Sequence, residues 1–338
     1  MEYFEFGGTG LNVSRSGFGC IPIQRLSDED STSLLRAAFA GGINFYDTAR
    51  SYTTSESKLS LALGDVRKDI IIATKTGASN AAGLREHISI SLKNLQTDYI
   101  DIYQLHNPST LPVPDDESGL YDELLKVKEE GLVRHIGITN HRLDVAVAAV
   151  NSGLYETMQF PMSSIASDEE VKLVELCKEK NVGFIAMKGL GGGLITNARS
   201  TFAFLRSLPD VLPIWGMQYK WQLEEFLTYE EHVPELNDKM WEIINKDRQE
   251  LSEGFCRACG YCLPCPAGIN IPQAARMKYL LGRTDYNSLI DENTRKMMDK
   301  IDGCIACGHC KQHCPYSLDT PELLKTHLGF YREFVKEQ

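Results

Sequence analysis

Apolar residues along the chain fall into two alternating patterns. Short apolar-rich runs near Asn44, Ile70, Tyr99, Val133, Thr157, Gly183 and Val211 read as buried strands. Between them, apolar positions recur at helical spacing over 56–63, 82–95, 118–130, 143–152, 168–180, 198–208 and 221–229. A first strand over Val13 to Gly19 and a first helix complete the series. That helix opens on the capping box Ser27-Asp-Glu-Asp30, sets Leu34, Leu35, Ala38 and Phe39 on one face, and stops at Gly41-Gly42. Eight βα units predict an α/β fold of the (β/α)8 TIM barrel type. A doubly wound sheet fits less well, because no Gly-x-Gly-x-x-Gly opens the first helix. Ahead of the barrel, Tyr3 to Ser16, with Gly7-Gly-Thr-Gly10 at its centre, predicts a β-hairpin plugging the barrel's bottom.

Polar groups cluster at three strand ends. The second strand exits through Asp47 into a loop carrying Tyr52, the third delivers Lys75, and the fourth, Tyr99-Ile-Asp-Ile-Tyr-Gln-Leu-His106, delivers a histidine. If these strands are parallel neighbours, all four groups gather at one carboxyl-terminal face. A lysine beside a tyrosine favours the phenolate, so Tyr52 is expected to have a lowered pKa and to exchange a proton near neutrality. Asp47 would hold Lys75 charged and aimed, and His106 would orient a substrate carbonyl.

These motifs are similar to the aldo-keto reductase family. Gly42-Ile-Asn-Phe-Tyr-Asp-Thr-Ala-Arg-Ser-Tyr52 with Ser55-Glu56 resembles the family's signature around its catalytic Asp and Tyr, Ala73-Thr-Lys75 its lysine strand, and Asp98 to Asn107 its histidine strand. The resemblance spans roughly the first two-thirds of the chain and implies a catalytic tetrad of Asp47, Tyr52, Lys75 and His106. It also implies NADP(H) or NAD(H) as cofactor. Thr139, in place of the usual Ser, and Asn140 with Gln159 would hold the nicotinamide carboxamide. Met187 stands where many members stack an aromatic ring, and Lys188 where a serine is common. Gly189, Leu190 and Gly191 would run along the pyrophosphate, where small residues let backbone N–H groups approach phosphate. In the last strand-helix loop, Gly216 and Gln222 replace residues that often carry charge for the 2′-phosphate; Lys220 is the nearby substitute, and Glu225 matches the adenine-side carboxylate.

Charge and composition narrow the partners. The chain has 338 residues, 43% of them hydrophobic, and a net charge of −11 with no basic tract, which argues against nucleic acid. No window approaches the roughly 18 apolar residues of a membrane span, and the amino terminus has no basic region followed by an apolar run. No membrane association and a soluble, cytoplasmic protein are the expectation. Oligomeric state has no signal.

Eight of the ten cysteines follow Phe255 in two tight runs, which points to metal rather than disulfides. Cys20 and Cys177 stand apart and read as small buried hydrophobes. The runs are Cys256-x2-Cys259-x2-Cys262-x2-Cys265-Pro266 and Cys304-x2-Cys307-x2-Cys310-x3-Cys314-Pro315. The second is the bacterial ferredoxin spacing for a [4Fe-4S] cluster, and in two-cluster ferredoxins the fourth ligand comes from the other motif. Cys256, Cys259, Cys262 and Cys314 are thus assigned to one cluster, and Cys304, Cys307, Cys310 and Cys265 to the other. Structural zinc would pair two Cys-x2-Cys knuckles across a longer gap, and the shortened first run leaves open a single cluster. His309 and His313 read as exposed neighbours. A subgroup of aldo-keto reductases, mostly of anaerobic microbes, carries a similar C-terminal dicluster module, which resembles Cys259 to Ile269 here.

The expected domains are a barrel over 1–232, an acidic helical connector over 233–253, and a mainly α-helical ferredoxin-like iron-sulfur domain over 254–338, with helices across Ile271 to Met298 and Pro321 to Glu337. The expected activity is hydride transfer between nicotinamide and a small-molecule carbonyl or hydroxyl substrate such as a sugar, polyol or ketone. The long loop Asn107 to Glu117 suggests an open site. A hydride carries two electrons and a cluster one, and no flavin motif bridges them, so the clusters would serve a redox partner protein, a sensor or structure. The alternative is a non-catalytic nicotinamide-binding redox sensor, but such a module needs no proton donor.

Overall fold

The computed structural model describes residues 1–251, 254–283 and 286–337. Ser252 and Glu253 of the expected connector, and Thr284 and Asp285 between the cysteine runs, lie outside them. The chain divides into two compact units, one of Met1–Gly189 with Arg199–Trp241, the other of Leu190–Ala198 with Glu242–Gln338.

In the first unit, β1 (Tyr3–Glu5) and β2 (Asn12–Ser14) form an antiparallel hairpin. Eight parallel strands follow and close on themselves: β3 (Gly17–Gly19), β4 (Phe45–Asp47), β5 (Ile71–Thr76), β6 (Ile100–His106), β7 (Val133–Thr139), β8 (Thr157–Pro161), β9 (Gly183–Met187) and β10 (Val211–Trp215), the last pairing with β3. Helices alternate with them as α1 (Asp28–Ala40), α2 (Ser55–Leu63), α3 (Ala81–Leu95), α4 (Leu120–Glu129), α5 (Leu143–Ser152), α6 (Asp168–Glu179), α7 (Ala198–Ser207) and α8 (Lys220–Glu231). The (β/α)8 expectation is thus met, and the barrel strands are mostly buried, with Arg134 exposed on β7, because helices cover one face and the barrel interior fills the other. Helix starts follow their caps: Ser27 Oγ accepts from the Asp30 N–H, Asn80 from Gly83, and Ser167 closes a full capping box with Glu170.

The first barrel strand is shorter than Val13 to Gly19. Residues 12–14 pair antiparallel with 3–5 instead, and Ser14 N–H donates to Asn44 Oδ1 at 2.8 Å, so the chain turns before it joins the barrel. The hairpin lies against the amino-terminal ends of the barrel strands. Phe6 is fully buried with Val13, Phe45, Ile71, Ile102 and Leu212 in the barrel's core, its ring 6.0 Å from that of Phe45. Gly7 sits at φ +53° where a Cβ would meet the Gly183 nitrogen at 2.4 Å, so only glycine fits this close approach.

The second unit is helical: α9 (Asp238–Glu250), which begins in the first unit, α10 (Ile271–Ala274), α11 (Met277–Arg283), α12 (Glu292–Asp299), α13 (His309–Gln312) and α14 (Thr320–Glu337). Its core combines Ile269, Ile271, Met277, Met298, Leu324 and Tyr331 with the cysteines Cys262 and Cys310. Segment Leu190–Ala198 joins it through two arginines: Arg276 Nη1 donates to Gly192 O at 2.6 Å, and Arg283 Nη1 to Leu194 O at 2.9 Å. Among the described residues no helix is long and apolar enough to cross a membrane.

Removing the Phe6 ring from a site with no solvent exposure leaves a cavity at the barrel's base. Phe6→Ala is expected to lower stability by about 3–5 kcal/mol, read as a lower midpoint of urea unfolding.

Candidate functional site

Parallel register carries the predicted polar residues to one end of the barrel. Asp47 pairs with Ala73, Lys75 with Gln104, and His106 with Thr139, which in turn pairs with Gln159. The Lys75 ammonium donates to Asp47 Oδ1 at 2.6 Å and to the Thr48 carbonyl at 2.6 Å. Asp47 also accepts from Gln104 Nε2 at 3.5 Å and Gln159 Nε2 at 3.4 Å. Lys75 and Asp47 are 1% and 2% exposed, so this ion pair is held away from water. Lys75 Nζ lies 5.2 Å from the centre of the Tyr52 ring, and that ring meets His106 edge-on with centroids 6.0 Å apart. The four residues therefore come together.

Their protonation departs from expectation at Tyr52. Burial pushes the phenol well above its ordinary pKa, and the Asp47 carboxylate and Cys20 add to the rise. Lysine was expected to act the other way. Its charge is already matched by Asp47 at 2.6 Å, while the phenol loses its water, so Tyr52 stands as a protonated O–H. Burial raises the Asp47 carboxyl too, with the Lys75 ammonium and the two amides pulling it back. His106 is pushed down to about 3, chiefly by burial and then by Lys75 and Lys188, so its imidazole is neutral at physiological pH.

Two of the residues assigned to the nicotinamide carry a second signal. Thr139 Oγ1 and Gln159 Oε1 are buried without a hydrogen-bond partner, on adjacent strands in register. Buried polar atoms are normally paired, so this pair fits a ligand amide. Met187, 9% exposed, packs in the barrel core with Ile185 and Leu212. Asn140 is occupied locally: its amide donates to the Pro108 carbonyl at 2.9 Å, and its oxygen accepts from His141 and Arg142 N–H. Lys188 holds φ +59°, and a Cβ at Gly189 would meet the Trp215 ring at 2.7 Å. Leu190 and Gly191 fall in the second unit, where the Leu190 carbonyl accepts from Gly193 and Ile195. Gly216 borders Pro22. Gln222 caps α8, its oxygen accepting from Gln218 N–H at 2.8 Å and Tyr219 N–H at 3.0 Å. Lys220 is exposed, 3.7 Å from Glu224, and Glu225 accepts from Tyr229 Oη at 2.5 Å.

The sequence reading did not single out Gln104, although it lies two residues before His106 and hence on the same strand face. Cys20 was read as a small hydrophobe; it is fully buried at the end of β3, its N–H donating to the Asp47 carbonyl at 2.8 Å. Nothing in its sequence context marks that position. Beside His106 an open cleft is bounded by Thr76, Ser79, Leu111 and Glu117.

In the second unit the cysteines line two cavities. One is walled by Cys256, Cys259, Cys262 and Cys314; the other by Cys265, Cys304, Cys307 and Cys310, and Cys262 lines both. Both cavities thus bring together thiols of the two runs. Among the described residues no three Cys, His, Asp or Glu side chains converge on a single-ion site, whereas the cavities suit a polynuclear cluster. Burial, and then the neighbouring thiols, push Cys262 up to about 12 and raise Cys256 and Cys310, so an anionic ligand set here calls for a positively charged core. His309 is half-buried, with Nε2 buried and unpartnered, and its ring lies 4.0 Å from that of His313.

Comparison with known proteins agrees with both halves. A model described as the aldo/keto reductase family matches residues 8–206, and one described as a 4Fe-4S dicluster domain matches residues 255–319. The chain is 33% identical over 215 residues to L-galactose dehydrogenase of Arabidopsis thaliana, covering 58% of this chain and 67% of that one. It is 29% identical to aldo-keto reductase YhdN of Bacillus subtilis, covering 58% and 64%. In fold it is similar to a Bacillus halodurans aldo-keto reductase in its holo form, with TM-score 0.65, 22% identity and 73% and 96% coverage. A Klebsiella pneumoniae aldo-keto reductase in complex with NADPH gives TM-score 0.63, 19% identity and 72% and 94% coverage.

A histidine pKa depressed from 6.5 to about 3 means that the folded state binds fewer protons than the unfolded one between those values. Its contribution to stability is complete above the unfolded pKa and is lost as pH falls below it. The ¹⁵N chemical shifts of His106 are expected to hold a neutral-imidazole pattern from about pH 9 down to about pH 5. An imidazolium pattern appearing near the ordinary histidine pKa would contradict this environment.

Proposed function

Because the chain belongs to the aldo/keto reductase family and carries a 4Fe-4S dicluster domain, we propose that it is an NAD(P)-dependent oxidoreductase interconverting a carbonyl and its alcohol with Tyr52 as proton donor. The observation that carries this reading is the buried Lys75–Asp47 pair, which holds an ammonium 5.2 Å from the Tyr52 ring centre, beside His106.

The bound nicotinamide supplies or accepts the hydride at the carbonyl carbon. Tyr52, kept protonated by burial, gives its proton to the carbonyl oxygen as negative charge develops there. Lys75 stabilises the phenolate that remains, and Asp47 with Gln104 and Gln159 fixes the ammonium's position. His106, as a neutral imidazole, donates one hydrogen bond to the same oxygen and orients the substrate. Thr139 Oγ1 and Gln159 Oε1 take the nicotinamide carboxamide. With Gln222 engaged in capping α8, Lys220 is the cation at hand for a 2′-phosphate, so NADPH and NADH both belong in the assay. The cleft beside His106 takes a small carbonyl or hydroxyl compound such as a sugar, polyol or ketone. The two cysteine sets hold two [4Fe-4S] clusters, which add one-electron chemistry or structural support and give a redox partner protein a point of exchange.

Tyr52→Phe keeps the ring and removes the proton. Turnover is expected to fall about 10²–10⁴-fold while the dissociation constant for NADPH, from nicotinamide fluorescence, stays unchanged. Full activity in that variant would remove Tyr52 from the mechanism. For the clusters, Cys265→Ala is expected to halve the iron of the anaerobically reconstituted chain, from about eight to about four per molecule, leaving the set of Cys256, Cys259, Cys262 and Cys314 loaded.

A further inference from the structure

The two cysteine loops repeat one backbone. Cys256-Arg-Ala-Cys-Gly-Tyr-Cys262 and Cys304-Ile-Ala-Cys-Gly-His-Cys310 align without a gap. Ala258 and Ala306 share positive φ, 50° and 53°, and so do Gly260 and Gly308, 84° and 75°. With backbone and ligands matched, the two sites differ in what their walls carry.

The first cavity, that of Cys256, Cys259, Cys262 and Cys314, has Arg257 and Tyr316 in its wall. The Arg257 guanidinium lies 4.7 Å from the Tyr316 ring centre and 5.6 Å from that of Phe255, so aromatic rings hold it in place. A second guanidinium, Arg276, is fixed half-buried by bonds to the Pro272 and Gly192 carbonyls at 2.8 and 2.6 Å, and it interacts electrostatically with Cys256. The matching place to Arg257 in the second loop is Ile305, 66% exposed, and among the described residues the wall of the second cavity contains no arginine, lysine, aspartate or glutamate.

Reduction makes a cluster and its thiolates one unit more negative, so fixed positive charge nearby favours the reduced form. The second site has two smaller effects in its favour: Cys307 is exposed to water, and the buried His309 Nε2, without a hydrogen-bond partner, lines the cavity as a dipole. A dipole and a solvated edge act more weakly than two guanidinium charges held at a partly desolvated site. We propose that the clusters fill in a set order, a single electron resting on the one held by Cys256, Cys259, Cys262 and Cys314 beside Arg257 and Arg276, and only a second electron remaining on the other. This rests on the two-cluster assignment of the cysteines. Each step takes one electron from an external one-electron reductant and converts one [4Fe-4S]²⁺ to [4Fe-4S]⁺, with no bond made or broken and no proton moved.

The test uses the anaerobically reconstituted full chain, titrated with dithionite and followed by electron paramagnetic resonance, as wild type, Arg257→Ile and Ile305→Arg. Wild type is expected to reduce in two separate one-electron waves. Arg257→Ile should weaken reduction in the first wave at least tenfold, about 59 mV for a one-electron couple, and leave the second in place. Ile305→Arg, at an exposed position, should raise the second wave and bring the two together. A single wave for both wild-type clusters, or Arg257→Ile moving only the later wave, would overturn the order. If Arg257→Ile does not retain its clusters, Ile305→Arg decides alone, and unmoved midpoints there overturn the proposal. Wild-type iron near four per chain would overturn the two-cluster assignment itself, and the proposal with it.

Discussion

The barrel site depends on one buried ion pair. Lys75 and Asp47 meet at 2.6 Å with almost no exposure, where neither charge would be stable alone. Such a pair is poor evidence of stabilisation, since desolvation offsets most of its Coulomb energy, yet removing one partner typically costs about 3–5 kcal/mol because the other charge is left stranded. Its presence is better explained by position. A parallel barrel brings the ends of β4, β5 and β6 side by side, and Gln104, Gln159 and the Thr48 carbonyl complete the coordination that charge needs. Tyr52 and His106 sit beside this pair, and burial in the barrel keeps the phenol protonated and the imidazole neutral.

A related constraint governs the second unit. Its hydrophobic core includes Cys262 and Cys310, and other cysteines pack at its margin, so the groups that would bind iron also help fill the interior. Without a metal core these thiols are driven toward the neutral form by burial and by one another. In small metal domains whose ligand shell and core are built from the same residues, metal binding and folding are coupled.

The two units suit different electron counts. The aldo/keto reductase half belongs to a family of two-electron hydride chemistry, and the 4Fe-4S dicluster half to one of one-electron centres. Nothing among the described residues of the barrel site converts one into the other, and so the order in which the clusters fill bears on how the chain handles single electrons.

Much of this was legible in sequence because the signals are local and periodic. Short apolar runs, eight times alternating with amphipathic helices, specify a parallel barrel, and the polar exits of three of them, carrying Asp47 with Tyr52, Lys75 and His106, meet because strand ends in such a barrel converge. Cysteine spacing is a signal of the same local kind, since two-residue steps restrict which thiols reach one core; in the fold Cys314 lies with Cys256, Cys259 and Cys262, while both Cys262 and Cys265 border the cavity of Cys304, Cys307 and Cys310. Tertiary structure decided what depends on distant neighbours. The Tyr52 pKa runs upward because burial is a property of the whole barrel, whereas a lysine nearby in pattern suggested the reverse. Asn140 and Gln222 are drawn into local hydrogen bonds that motif matching does not register. Segment Leu190–Ala198 joins the second unit because Arg276 and Arg283, more than 80 positions downstream, bond to its carbonyls, a contact that spacing along the chain does not encode.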